Sequence, residues 1–514
     1  MKGGQDETIA FLSRPETYGA GLAEVRRIDT HVSVLFLAGE RAYKLKRAVR
    51  FSYLDYSTLE LRRRACEREV ALNRRTAPEL YLGVRPVTRS PAGGLSFHGD
   101  GEPVDWVVEM RRFDEAGLFD RMAEEGRLTQ RLMRDLADRI AEFHDAAEID
   151  RSNGGGRAIA AVIEGNRRNL RAAPDAFDAA ALDRLHDRSR RELERIAPLL
   201  DRRREEGRVR LCHGDLHLRN ICLIDGRPTL FDCIEFSDEI ARIDVLYDLA
   251  FLLMDLRHRR FGGFANQVLN RYLDRRDEAG GLAALPLFLS LRAAIRAHTG
   301  AAAAARQTDP ARAAEMRRDN AGYLELALDL FEPRAPVLIA IGGLSGTGKS
   351  TLAYGLAPDL GRAPGARVLR SDVLRKGLHG VSPETRLGPE AYLPERSQAV
   401  YRALCEEAGG ALACGQAVIA DAVFLRAEER AAIGEVARVA GAPFLGFWLE
   451  ASPEILEERL ERRRGDASDA TVEVLRSQQA VTTGPIAWRR LDARPGEPER
   501  VLERARAALA EALP

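Results

Sequence analysis

The sequence predicts an α/β multidomain chain, a two-lobed α+β part followed by an open parallel-sheet α/β part. Three observations carry this. His213-Gly214-Asp215 opens an H-x-D-x-x-x-x-N frame ending at Asn220, and the apolar runs Ile221–Ile224 and Thr229–Phe231 flank Asp225-Gly226 as a hairpin that delivers Asp232. Gly343 to Ser350 reads G-x-x-x-x-G-K-S directly behind the apolar run Val337–Ile341. Between the two patterns, Pro333 and Pro336 interrupt any helix. A chain of 514 residues exceeds one hydrophobic core. The expected boundary lies at 332/333, with a first lobe over about 20–110 and a second over about 111–330.

In the first lobe, Val32–Leu37 and Ala42–Lys46 read as strands joined by the turn Ala38–Arg41. The period of two puts Ala42, Lys44 and Lys46 on one face. Lys44 stands in an A-x-K frame, the position of a phosphate-binding lysine, and Glu69 on the helix Leu59–Arg74 is the expected partner. Lys46 and Glu67 are alternatives to this pair. No G-x-G-x-x-G precedes the strand, and Ile28–Ser33 stands in its place, with Thr30 and Ser33 as hydroxyl donors. Asp105–Met110 reads as a strand leading to a hinge near Glu109–Arg111.

In the second lobe, Leu132, Leu136, Ile140 and Phe143 mark a core-facing helix over Leu128–Ala147, on which His144 reads as structural. A charged helix over Asp178–Arg204 leads to the His213 frame. The hairpin should set Asn220 and Asp232 beside Asp215. A carboxylate base next to two oxygen ligands suits magnesium-dependent phosphoryl transfer from ATP. Asp248, near the start of the next apolar helix, reads as a cap or a clamp on the Asp215 loop. Helices near Leu282–Arg306 and Ala311–Leu330 close this part.

In the last part, the glycines at 343, 346 and 348 let backbone N–H groups of Leu344, Ser345 and Thr347 ring phosphates at a helix N-terminus. Lys349 would reach the outer phosphates, Ser350 a magnesium ion, and Thr351 continues the loop into its helix. Strands ending at Asp372 and Asp421 put carboxylates at the ligand end of a parallel sheet. Asp421 is the candidate second magnesium carboxylate, Asp372 a candidate base, and Arg375 a candidate acceptor contact. Arg462 and Arg463, in the arginine run after Glu461, are candidate lid residues over a transferring phosphate.

Residues 20–330 resemble the aminoglycoside phosphotransferase family, a small-molecule branch of the protein-kinase-like fold, at His213-Gly214-Asp215 through Asn220 and at Asp232. The resemblance implies Asp215 as base or hydroxyl orienter, with Asn220 and Asp232 on Mg²⁺. Two features depart from kinases at large: the glycine-rich loop is missing, and no A-P-E segment follows Asp232, which argues against a protein substrate. Residues 335–510 resemble P-loop kinases related to gluconate kinases and polynucleotide 5′-hydroxyl kinases, the latter through Asp372-x-x-Arg375. The implied architecture is an N-terminal two-lobed protein-kinase-like fold followed by a P-loop NTPase fold. The pairing looks like bacterial proteins described as bifunctional phosphotransferase/ATP-binding proteins.

Composition narrows the functional classes. Lys+Arg and Asp+Glu are 78 each, and from Pro333 onward 24 each, which disfavours general binding to nucleic acid or anionic membranes. Six scattered cysteines without a C-x-x-C pair fit a reducing cytoplasm better than disulfides or zinc. No signal core or membrane span is expected. The leading expectation is a kinase with two ATP and Mg²⁺ sites, acting on hydroxyl groups of small molecules. Two alternatives concern the last part alone: a nucleotide-dependent regulatory module, or a polynucleotide 5′-hydroxyl kinase.

Overall fold

The structure is a computed structural model that describes residues 4–51, 54–97, 99–462, 467–494, 496 and 498–512. The chain forms two compact units, Met1–Ala158 with Asp201–Leu252, and Ile159–Leu200 with Leu253–Pro514.

The first unit is built on a six-stranded antiparallel sheet. Its strands are β1 (Val25–Asp29), β2 (Ser33–Ala38), β3 (Arg41–Lys46), β4 (Tyr81–Arg89), β5 (Leu95–Phe97) and β6 (Glu102–Arg111), in the order β1-β2-β3-β6-β4-β5. Alternation sorts the side chains. Val34, Phe36, Leu45 and Val107 fill one face, while Leu37, Ala42, Val108 and Met110 pack on the other with Cys66 and Val70 of helix α1 (Leu59–Asn73). Thr58 caps α1 by accepting the Leu61 N–H (3.2 Å). The helix buries Arg62, Cys66, Glu69 and Asn73, a stripe at helical spacing.

Helix α2 (Gln130–Ala146) buries Leu136, Ile140 and Phe143 as its periodicity predicts, with Met133 rather than Leu132 as the buried residue of the first turn. The charged helix spans Ala179–Glu205. The predicted hairpin forms from β7 (Ile221–Ile224) and β8 (Arg227–Leu230), with Ile221 opposite Leu230. Its turn residues Asp225 and Gly226 both take positive φ (49° and 76°), which suits the twist of a two-residue hairpin loop. Helix α3 follows at Val245–His258.

The second unit holds helices α4 (Gly262–Arg275), α5 (Leu285–Ala304) and α6 (Pro310–Asp329), together with a five-stranded parallel sheet. The strands are β9 (Leu338–Gly342), β10 (Arg367–Arg370), β11 (Val418–Asp421), β12 (Phe444–Glu450) and β13 (Arg489–Asp492), in the order β10-β11-β9-β12-β13. Helices α7 (Lys349–Leu356), α8 (Ser371–Leu378), α9 (Pro453–Arg462) and α10 (Pro498–Ala512) complete it. Ile339, Ile341, Val368, Ile419 and Phe447 pack with Leu352 of α7 and Ala505 and Leu509 of α10.

Two features differ from the expectations. Strands β1, β4, β5 and β13 were not expected; β4 carries Gly83 and Pro86, residues that usually interrupt a strand. One stretch among the described residues, Ala279–Ala304, is long and apolar enough to cross a membrane, and 72% of its apolar 18-residue window is buried inside the protein.

Gly446 in β12 lies against Trp488, and a Cβ there would come within 2.2 Å of the indole. Gly446→Ala should therefore destabilise the second unit by about 1–3 kcal/mol through overpacking. This is measurable as a lowered urea midpoint by tryptophan fluorescence; an unchanged midpoint would speak against the packing.

Candidate active site

The first candidate site is assembled by β3, α1 and the segment that leaves the β7–β8 hairpin. Lys44 and Lys46 point from β3 to the same helix residue. Lys44 Nζ donates to Glu69 Oε1 (2.9 Å) and to Asp232 Oδ1 (2.7 Å). Lys46 Nζ donates to Glu69 Oε2 (2.6 Å) and to Glu235. Glu69 is fully buried, whereas Glu67 lies on the exposed side near Arg63. The Lys44/Lys46 alternative thus becomes a pair: both lysines share one carboxylate, and only Lys44 also reaches Asp232. Burial alone would raise the Glu69 pKa, but the two lysine charges outweigh it and hold it at about 2.

Asp232 has a left-handed backbone (φ 63°), held by its neighbours. Its N–H donates to Tyr81 Oη (3.1 Å), the Cys233 N–H to Asn73 Oδ1 (2.8 Å), and the Ile234 N–H to the His213 carbonyl (3.0 Å). Glu235 also accepts from Tyr56 Oη (2.6 Å). The residues that sequence reasoning missed are Glu235, Tyr56, Tyr81 and Asn73. The i+3 spacing of Asp232 and Glu235, matching two lysines on one strand face, was the available signal.

Asn220 Nδ2 donates to both Asp215 Oδ2 and the Asp215 carbonyl, each at 2.9 Å, and the Asn220 carbonyl accepts the Phe231 N–H (3.0 Å). Asp215, Asn220 and the approach to Asp232 are thereby linked. The Asp215 carboxylate remains partly exposed. Asp248 clamps this loop: its carboxylate accepts the N–H groups of His213 (3.0 Å) and Gly214 (2.8 Å), and contacts His144 Nε2 (3.1 Å). His144 and Asp248 are both fully buried, in keeping with the structural roles read for them.

In the glycine-poor turn between β1 and β2, Thr30 Oγ1 is engaged with the Ser33 N–H (2.9 Å) and carbonyl (3.0 Å), and the Ser33 hydroxyl is buried without a partner. β6 runs through Arg111, one residue beyond the strand end expected at Met110, and the Glu109 side chain is held by Arg85 (2.5 Å). The chain exit after β6 borders a cavity of about 650 Å³ lined by Gly39, Arg112 and Phe113.

The second candidate site lies at the C-terminal ends of β9 and β11. Gly343, Gly346 and Gly348 have φ of 135°, 88° and 91°, and a Cβ at Gly343 would stand 2.5 Å from the Leu449 carbonyl. Only glycine permits that loop. The Ser345 N–H donates to Gln478 (3.0 Å), Thr347 Oγ1 to the Leu344 carbonyl (2.8 Å), and Lys349 Nζ folds back to the carbonyls of Gly343 (2.9 Å) and Leu344 (3.1 Å). Thr351 is exposed on α7. Ser350 Oγ donates to Asp421 Oδ2 (2.5 Å), which also lies 3.4 Å from Arg370 Nε. Asp372, the second residue of α8, is half-buried; desolvation raises its pKa, Arg370 opposes this, and Asp421 adds to it.

The acceptor and lid candidates fall differently. Arg375 is buried, donates to the Ala391 carbonyl (2.6 Å) and stacks over Tyr392. Arg462 is exposed and paired with Glu458 (2.8 Å); Arg463 lies outside the described residues. Arg459, one turn earlier on α9, is the arginine that touches the phosphate loop, at the Gly346 carbonyl (3.2 Å).

Both sites fit a magnesium nucleotide by the chemistry of their donors. The candidate ligand atoms are carboxylate, amide and hydroxyl oxygens, which suit a hard cation. Each site sets a lysine beside them, and the second has a backbone cradle that a side chain at Gly343 would fill.

Comparison with known proteins matches a different family model to the residues of each candidate site. Residues 44–285 match the model of the phosphotransferase enzyme family, and residues 338–485 match that of an AAA domain. An uncharacterized protein of Mycobacterium tuberculosis is 30% identical over 454 residues, covering 87% of this chain and 88% of that protein. Among solved structures, a choline/ethanolamine kinase family protein from Mesorhizobium loti is 15% identical with a TM-score of 0.37, over 63% of this chain and 99% of that one. A gluconokinase from Sinorhizobium meliloti is 21% identical with a TM-score of 0.25, over 35% of this chain and 94% of that one.

The buried Glu69 generates a pH prediction. Its pKa is lowered in the folded state, so its stabilisation is present above about 4.5 and is lost as pH falls toward about 2. Between these limits the wild type should lose on the order of 2 kcal/mol more than Glu69→Gln does. Urea midpoints measured across that window would show it as a shallower slope for the variant; parallel slopes would count against a buried, ionised Glu69.

Proposed function

Since the chain belongs to the phosphotransferase enzyme family, joined here to an AAA-type P-loop domain, we propose that this kinase uses two ATP sites, each with Mg²⁺, to phosphorylate hydroxyl groups of small molecules. It transfers phosphate to hydroxyl acceptors; the number of sites and the size of the acceptors are the further steps taken here. The observation that carries the reading is that each unit holds its own set of a lysine beside oxygen donors. Lys44 stands with Asp232 in the first unit, and Lys349 with the Ser350–Asp421 pair in the second.

Bound Mg²⁺ would neutralise charge on the phosphate oxygens at both sites. In the first, Asn220 and Asp232 would hold it, and Lys44, aimed by Glu69, would bind the inner phosphates. Asp215, fixed by Asn220 Nδ2, would orient the acceptor hydroxyl and receive its proton. In the second, the backbone N–H groups from Leu344 to Lys349 would cradle phosphates, Ser350 and Asp421 would hold the metal, and Asp372 would serve as base. Desolvation raises the Asp372 pKa, the direction that makes its carboxylate a stronger proton acceptor. A small acceptor is favoured because the sequence after Asp232 carries no A-P-E segment for docking a protein substrate, and the second half is charge-balanced.

The test is a metabolite-pool screen with labelled ATP, run on the wild type, Asp215→Ala and Lys349→Ala. Each substitution should reduce a different set of labelled products by about 100-fold or more. If Lys349→Ala leaves every product intact, the P-loop domain is regulatory. If it abolishes labelling of 5′-hydroxyl oligonucleotides, that domain is a polynucleotide kinase. If neither substitution changes any product, the two-site reading falls.

A further inference from the structure

The parallel sheet of the second unit has an open side at β10, which among the described strands pairs only with β11. Arg367 donates its N–H inward to the Ala417 carbonyl (2.8 Å), so the Ala366 carbonyl and the Val368 N–H face outward. Unpaired groups of this kind are costly when buried, and they are the usual template for another strand.

Here a helix meets them with side-chain amides. Asn270 on α4 accepts the Val368 N–H at Oδ1 (2.7 Å) and donates through Nδ2 to the Ala366 carbonyl (3.1 Å). Asn266, one turn earlier, donates to the same carbonyl (2.9 Å). One turn later, Asp274 accepts from the Arg367 guanidinium (2.6 Å), which also reaches the Asn270 carbonyl (3.2 Å). Asn266, Asn270 and Asp274 recur every four residues and form one buried stripe on α4. An apolar stripe would pack a helix at lower desolvation cost. A polar stripe makes sense because its partner is a strand edge with fixed donors and acceptors.

That strand carries chemistry. Two residues beyond Val368, Arg370 lies 3.4 Å from Asp421, the carboxylate bonded to Ser350. Asp372 follows at the start of α8. Arg271 of α4 also pairs with Glu384 (2.9 Å), on the segment after α8.

We propose that α4 positions the acceptor side of the P-loop site, with Asn270, Asn266 and Asp274 as positioning residues that take the place of a neighbouring strand and set the register of Arg370 and Asp372. The 333–514 segment is then incomplete as an enzyme without α4, although α4 precedes the proline punctuation in sequence. This role rests on the reading of the second site as a phosphoryl-transfer centre.

The test uses the full-length chain and two variants, Asn270→Ala and the milder Asn266→Ala, which removes one bond to β10 and the Asn266–Asn270 side-chain bond but leaves the Asn270 bonds to Val368 and Ala366, and so keeps a folded comparison. Amide hydrogen exchange is read in peptides covering 366–376 and, as a control, 338–342. Lys349-dependent ATP hydrolysis is read as the difference from Lys349→Ala. Asn270→Ala should speed exchange over 366–376 by at least about tenfold while leaving 338–342 within about twofold. Its Lys349-dependent kcat should fall by about fivefold or more with the KM for ATP held within about twofold, because the phosphate cradle is not on β10. Asn266→Ala should give the same pattern with smaller changes. Unchanged exchange over 366–376, or faster exchange with unchanged kcat, overturns the positioning role and leaves the two-site reading standing. A wild type that hydrolyses ATP no faster than Lys349→Ala, and whose labelled products also match, overturns the two-site reading and this role with it.

Discussion

The first unit depends on one buried carboxylate. Glu69 on α1 is bonded to Lys44 and Lys46 on β3, and those lysines continue to Asp232 and Glu235 beyond the hairpin. A lone charge at this depth would be strongly destabilising, so each member requires the others. The helix, the strand and the hairpin exit are tied together by the candidate-site residues themselves. Removing Glu69 would leave Lys44 and Lys46 with one carboxylate each, Asp232 and Glu235.

The second unit solves the same problem with backbone. Its phosphate loop turns through three glycines at positive φ, and Lys349 occupies the carbonyls of its own loop. Ser350 and Asp421 come from different elements and meet at 2.5 Å, so a hydroxyl adds to the sheet pairing that holds the loop beside the β11 end. The two units thus carry similar donor chemistry on unrelated supports, a charge network in one and a strained loop in the other.

Much of the site was legible because it is local in sequence. The H-x-D-x-x-x-x-N frame, the Asp225-Gly226 turn and the G-x-x-x-x-G-K-S loop each place their residues within one supersecondary unit. The hairpin formed with both turn residues at positive φ, and Glu69 emerged as the lysine partner because its helical position faces the sheet. What sequence could not resolve was long-range pairing. Lys44 against Lys46 reads as a choice along a strand, yet a carboxylate with two oxygens serves both. Arg459 touches the phosphate loop, whereas Arg462, one of the lid candidates, pairs with Glu458 on the same helix.

The sequence by itself determined the two nucleotide motifs, the order of the two fold types and the residue types at each candidate centre, since those follow from spacing within short segments. Tertiary structure alone decided which charges share a partner, that Tyr81 and Asn73 hold the Asp232 backbone, and that Asn266 and Asn270 of α4 cover the β10 edge. The physical reason is that desolvated ions and open strand edges are satisfied by whatever polar group the fold brings near, however distant it is along the chain.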